Sequence, residues 1–153
     1  MTTPLGIIEG FYGPLWSWEE RRSLLKSLAP HGYEFYLYAP KADPYLRRRW
    51  QEPHPPAEAA ELASFGQFCR EQGVRFGVGL SPWEIFSRFD DDARRALGQK
   101  LAMLEKLGLD ELAILFDDMR SDTPDLARVQ ADIVRWVRDR TDIPRLSVCP
   151  SYY

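Results

Sequence analysis

Leu112-Ala113-Ile114-Leu115-Phe116 is an unbroken apolar run, and two carboxylates, Asp117-Asp118, follow it without a spacer. A run this short and this apolar suits a strand buried on both faces, as in a parallel sheet. Helical patterns flank it. Upstream, Leu97, Leu101, Leu104 and Leu107 recur at helical spacing behind Asp90-Asp91-Asp92 and stop at Gly108. The three aspartates read as cap and dipole residues rather than metal ligands, because acidic side chains satisfy the free N–H groups of a first helical turn. Downstream, Thr123-Pro124 reads as a cap with proline at the first helical position. Leu126, Val129, Ile133, Trp136 and Val137 then form an apolar face.

The same unit repeats on both sides. The first strand is Leu5-Gly6-Ile7-Ile8. Ser17 and Glu20 make a capping box for a helix bearing Leu24, Leu25 and Leu28, which stops near Pro30 and Gly32. The second strand is Tyr33 to Ala39, ending at Pro40. After a proline-rich loop, Pro56 opens a helix with Leu62, Phe65, Phe68 and Cys69 that ends at Gly73. Val74 to Leu80 is the third strand, and Arg145 to Cys149 the fifth.

Strands separated by single helices pair in parallel through right-handed crossovers. Either an open doubly wound sheet or a closed eight-stranded barrel has this pattern. No Gly-x-Gly-x-x-Gly turn follows strand one, which weakens a dinucleotide-binding reading. Every strand instead ends in polar or aromatic residues: Glu9 to Gly13, Lys41-Ala42-Asp43, Ser81-Pro82-Trp83, Asp117-Asp118 and Ser151-Tyr152-Tyr153. In a barrel, function collects on the loops that follow the strands. The expected fold is therefore α/β, a partial (β/α)8 TIM barrel with about five strands and four helices in parallel alternation. A complete barrel needs about 250 residues, and the chain has 153. Residues 1–153 are expected to form the N-terminal portion of one catalytic barrel domain, with the C-terminal strands absent and strands one and five left as open edges.

Composition narrows the function. Hydrophobic residues at 44% and charged residues at 28% belong to an ordinary globular domain, not a disordered tail. The net charge of -3 and the lack of a basic face argue against nucleic acid as a partner. Arg47-Arg48-Arg49 reads as a solvated face. No stretch is long and apolar enough to span a bilayer, and Met1-Thr2-Thr3-Pro4 has no charged leader. Cys69 and Cys149 do not suggest a disulfide framework, so a cytoplasmic location is expected.

Asp117 and Asp118 would stand at the barrel rim. Adjacent carboxylates near low-dielectric walls repel, so one tends to keep its proton. One acid and one anion is the pairing that glycoside cleavage uses. The competing reading makes them loop caps ahead of Thr123. Lys41 either donates to sugar hydroxyls or pairs with Asp43 on the surface. Gly10 and Gly13 allow close backbone approach or form a plain turn. Tyr12, Tyr152 and Tyr153 either offer hydroxyls to a ligand or finish the core. Glu9 is a possible active carboxylate or half of a buried ion pair. His31 and His54 are assigned no catalytic role. No metal or cofactor is expected.

Three motifs taken together are specific: Glu9-Gly10-Phe11-Tyr12-Gly13 with Trp16-Ser17; Tyr36 to Lys41 with Asp43-Pro44-Tyr45 and Arg47 to Trp50; and Leu115-Phe116-Asp117-Asp118. In this order they resemble glycoside hydrolase family 84, which contains O-GlcNAcases and bacterial β-N-acetylglucosaminidases, some formerly called hyaluronidases. The resemblance runs along essentially the whole chain. It implies a (β/α) barrel and a retaining, substrate-assisted hydrolysis of terminal β-linked N-acetylglucosamine through an oxazoline. It implies that Asp117 orients the acetamido group and that Asp118 is the general acid and base. It implies that Gly10 and Lys41 bind sugar hydroxyls, that Tyr153 sits near the acetamido pocket, and that Cys149 lies beside it. The expected partner is an N-acetylglucosamine-containing glycoside or glycoprotein. Further expected partners are the missing half of the barrel or a second copy meeting the open edges.

The chain departs from the family pattern at Ala42, at Leu46 and at Pro14-Leu15, which touch the surrounding loops more than the acid pair. The later strands that wall the family's pocket lie beyond Tyr153, so the chain alone is expected to show little or no hydrolase activity. The competing function is a half-barrel that binds sugar or a protein without turnover.

Overall fold

The computed structural model describes residues 3–120 and 122–152. Five strands, β1 Leu5–Glu9, β2 Tyr33–Tyr38, β3 Arg75–Leu80, β4 Glu111–Leu115 and β5 Arg145–Cys149, pair in chain order, all in parallel. The crossovers are four helices, α1 Trp18–Leu28, α2 Pro56–Glu71, α3 Asp91–Glu105 and α4 Leu126–Arg138. The result is the expected partial TIM barrel, a five-stranded half.

Three helix starts follow their sequence signals. Glu20 N donates to Ser17 Oγ at 3.2 Å and Ser17 N to Glu20 Oε2 at 2.6 Å, a reciprocal capping box. Pro56 occupies the first turn of α2. Asp90 Oδ1 accepts from Ala93 N at 3.0 Å and caps α3. The fourth start differs from the Thr123-Pro124 expectation. α4 begins at Leu126, and its N-cap is Asp125, at φ 54° with no side-chain cap bond. The position of α4 is set by burial of Gln130, Ile133 and Val137. The chain coming off the rim therefore bends sharply just before it, in a left-handed conformation that aspartate tolerates.

The core lies between the sheet and the helices. Tyr36, Phe76, Val78, Leu80, Leu112, Ile114 and Phe116 of the strand segments pack with Leu25, Leu62, Phe65, Leu97, Leu101, Ile133 and Val137 of the helices. Gly77 and Gly79 alternate with those β3 residues and therefore line the opposite face. A Cβ built on Gly79 would lie 2.5 Å from Ala39 Cβ and 2.8 Å from Leu115 Cδ1, so that face is packed to the backbone. Strands β1 and β5 are the sheet edges. Leu5 and Ile8 on β1, and Val148 on β5, are large exposed apolar residues. Among the described residues, no helix is long and apolar enough to cross a membrane.

Candidate active site

The C-terminal ends of β1, β2, β4 and β5 converge. At β4 the backbone is pinned before the acid pair. Phe116 N donates to Cys149 O at 2.8 Å, and Phe116 O accepts from Ser151 Oγ at 2.8 Å. Ser151 Oγ in turn accepts from Gln130 Nε2 of α4 at 2.8 Å. The two carboxylates that follow face different surroundings. The Asp117 side chain is 23% exposed and that of Asp118 is 50% exposed. Asp118 adopts φ 58°, a left-handed conformation that aspartate tolerates.

Lys41 reaches both. Its backbone N–H donates to Phe11 O at 3.3 Å, which ties the β2 end to the β1 end. Its ammonium, almost wholly buried, donates to Asp117 Oδ2 at 2.5 Å and lies 3.8 Å from Asp118 Oδ2. The surface ion pair with Asp43 is thus not formed. Asp43 is buried and accepts from Tyr38 OH at 3.0 Å and Tyr45 N at 2.9 Å, and its Oδ2 meets His54 Nε2 at 2.9 Å. Burial pushes its carboxyl pKa up, but these bonds and the His54 charge outweigh that and hold it below the usual carboxylate value. Asp117 Oδ1 is buried and has no hydrogen-bond partner among the described residues.

Tyr12 OH donates to Asp118 Oδ2 at 3.1 Å. Burial and then this bond raise the phenol pKa, so Tyr12 remains a donor. Arg47 Nη2 donates to Tyr12 OH at 3.0 Å and to Asp118 O at 3.4 Å. Arg47 corrects the sequence reading. Arg48 and Arg49 are solvated as expected, but Arg47 is buried, with 8% exposure. Three consecutive arginines carry no periodicity that would single one out. The cue available was Asp43-Pro44, which caps a 3₁₀ turn, Pro44–Leu46, and delivers Arg47 to the rim.

The remaining candidates scatter. Cys149 is half-buried; burial raises its thiol pKa, and the Asp117 charge adds to that shift. A Cβ on Gly10 would meet only Ile8 Cγ2, at 3.6 Å, so its backbone faces open space. Tyr152 is exposed. Tyr153 lies outside the described residues. Glu9 is the buried ion pair: Arg21 donates to it at 2.9 and 2.7 Å, and Tyr36 OH at 2.6 Å. Among the described residues, no group of three or more His, Cys, Asp or Glu could hold a metal ion.

Residues 5–153 match the family model described as beta-N-acetylglucosaminidase. The Protein O-GlcNAcase of Rattus norvegicus is 33% identical over 114 residues, which is 74% of this chain and 12% of that protein. The Mus musculus Protein O-GlcNAcase matches to the same extent. The chain thus spans about an eighth of the length of these curated relatives. Among solved structures, an aspartate-to-asparagine mutant of the Thermobaculum terrenum O-GlcNAc hydrolase superposes with a TM-score of 0.86 at 26% identity, covering 98% of this chain and 35% of that one. With the family model matching nearly end to end, and with the strand-end motifs in their expected places on a half-barrel, the chain belongs to the beta-N-acetylglucosaminidase family, glycoside hydrolase family 84.

Proposed function

We propose that this chain contributes the acid pair of a barrel that hydrolyses terminal β-linked N-acetylglucosamine by substrate-assisted, retaining chemistry. The observation that carries the reading is the asymmetry of the pair. Asp117 is drawn inward by Lys41 with Oδ1 buried and unpartnered among the described residues, while Asp118 is half exposed at the rim. An unpaired buried acceptor favours a ligand N–H, because leaving it unmade costs about 1–3 kcal/mol.

In this reading Asp117 Oδ1 accepts the acetamido N–H and aims the acetamido oxygen at the anomeric carbon. That oxygen forms the new C–O bond as the glycosidic bond breaks, and Asp118 delivers its proton to the leaving oxygen. The Asp117 anion stabilises the positive charge that develops on the oxazoline. The Asp118 carboxylate then takes a proton from water, which opens the oxazoline with net retention. Lys41 and the Gly10 carbonyl bind sugar hydroxyls, Tyr12 stands near the leaving oxygen, and Tyr153 and Cys149 border the acetamido pocket. Residues 1–153 serve as the N-terminal portion of one barrel domain. The isolated chain turns over little or not at all, because the sheet presents its site on one open side only.

The test is a chimera in which this chain replaces the matching segment of the Thermobaculum terrenum hydrolase. The expected result is hydrolysis of aryl N-acetylglucosaminides. Asp118→Asn should reduce it far more for poor leaving groups than for good ones, since only poor ones need protonation. A folded chimera without turnover, beside an active parent, rejects the function. An equal loss for both leaving-group classes rejects Asp118 as the acid.

A further inference from the structure

The Asp118 carboxyl group has little to hold it still. It is half exposed, on a left-handed residue, and the side chain that hydrogen-bonds it is Tyr12, itself 59% exposed. Two exposed groups leaning on each other do not define a direction. Arg47 does, because it is buried and its backbone is fixed from several sides.

Arg47 N donates to Pro44 O at 3.2 Å, and Asp43 Oδ1 caps the same turn through Tyr45 N at 2.9 Å. Ser81 N, at the end of β3, donates to Leu46 O at 2.8 Å. The buried Lys100 of α3 donates to Tyr45 O at 2.9 Å and Glu52 O at 2.6 Å. The guanidinium carbon sits 4.6 Å from the Trp83 ring centroid and 5.4 Å from that of Tyr12. Each ring face attracts the cation, which adds to the fixing of the guanidinium.

Resting on the glycosidase reading above, we propose that Arg47 is a positioning residue for Asp118, acting through the Tyr12 hydroxyl and through the Asp118 peptide carbonyl. The proton order of this relay is fixed. A guanidinium has no acceptor, so Tyr12 oxygen must accept from Arg47 Nη2 and its hydrogen must point to Asp118 Oδ2. Lys41 also lies on the Oδ2 side, at 3.8 Å. Oδ2 is therefore engaged on the protein side, and Oδ1 carries the proton toward the leaving oxygen. Arg47 Nη2 on the Asp118 carbonyl prevents the peptide from rotating the two oxygens out of these roles.

Two readouts test this. In the 153-residue chain labelled with ¹³Cζ-tyrosine, the Tyr12 signal is assigned by its absence from Tyr12→Phe, and its titration is compared across variants. Arg47→Met is expected to move the Tyr12 midpoint upward, since a cation that favours the phenolate is lost, while Arg47→Lys stays nearer the parent. An unmoved midpoint in a folded Arg47→Met overturns the proposal. If that variant does not fold, Arg47→Gln, which also removes the charge, is judged the same way, and an unmoved Tyr12 midpoint in the folded Arg47→Gln overturns the proposal.

In the chimera, Arg47→Met and Tyr12→Phe are each expected to lower kcat about tenfold for poor leaving groups and less than threefold for good ones, with KM steady. The double variant should be no worse than either single one. Fully additive losses, or a rise in KM alone, overturn the relay. A chimera without any turnover rejects the glycosidase reading, and the Tyr12 titration then still decides whether Arg47 holds Tyr12.

Discussion

Lys41 Nζ lies 2.5 Å from Asp117 Oδ2, joining the ends of β2 and β4 across 76 residues of chain. The ammonium is almost wholly buried, so the pair is weakly screened. It engages Oδ2 and leaves Oδ1, also buried, without a hydrogen-bond partner among the described residues.

Replacing Lys41 by methionine keeps the stem and removes the charge. In the chimera, kcat/KM for an aryl N-acetylglucosaminide is expected to fall by about 100-fold or more, the usual cost of removing a preorganised charged group from a reacting site. Steady-state kinetics check this. Retained kcat/KM would place Lys41 in folding rather than in the site.

Glu9 and Arg21 form a bidentate pair, both almost fully inaccessible, with Tyr36 OH on the same carboxylate. The Arg21 guanidinium also stacks 4.5 Å from the Trp18 ring centroid. Glu9→Ala strands a buried cation and is expected to cost about 3–5 kcal/mol by urea denaturation. Glu9→Leu combined with Arg21→Met should recover much of that loss. If the double variant is as unstable as the single one, packing rather than the unpaired charge is responsible.

Gly79 faces Ala39 and Leu115 with no room for a side chain. Gly79→Ala forces β2, β3 and β4 apart and is expected to destabilise by about 1–3 kcal/mol. Denaturant midpoints measure this. An unchanged midpoint would mean that the strands separate freely on that face.

Lys100 gives a pH signature. Burial lowers its pKa from the ordinary 10.5 to about 8, against the opposing charges of Asp43 and Glu52. The folded value lies below the unfolded one, so between pH 8 and 10.5 the unfolded chain binds more protons. The cost of burying the charged amine is present in full below pH 8 and is relieved as pH rises through that window. The stability of the parent minus that of Lys100→Met should therefore climb by up to about 3 kcal/mol from pH 7 to 10.5. A flat difference in urea unfolding would show that Lys100 is not desolvated.

The order of elements, the parallel sheet and the rim position of Asp117 and Asp118 were legible from sequence. Each depends on local regularities: an apolar run too short for a helix, leucines at helical spacing, Ser17 with Glu20, and Asp90 ahead of α3. These act within a few residues, so the chain displays them directly. The N-terminus of α4 was not legible, because packing of Ile133 and Val137, not a local cap, places it.

What only the tertiary structure decided is which charge meets which. Lys41 has Asp43 two residues away and Asp117 far along the chain, yet it pairs with Asp117, while Asp43 turns to Tyr38 and His54. Arg47 was one of three equal arginines until the 3₁₀ turn after Asp43-Pro44 buried it against Tyr12 and Trp83. The sequence by itself determined that two adjacent carboxylates end a buried strand. Their unequal environments arise from long-range contacts between strand ends, which no local pattern encodes, because a charge selects its partner by distance and burial in the folded state.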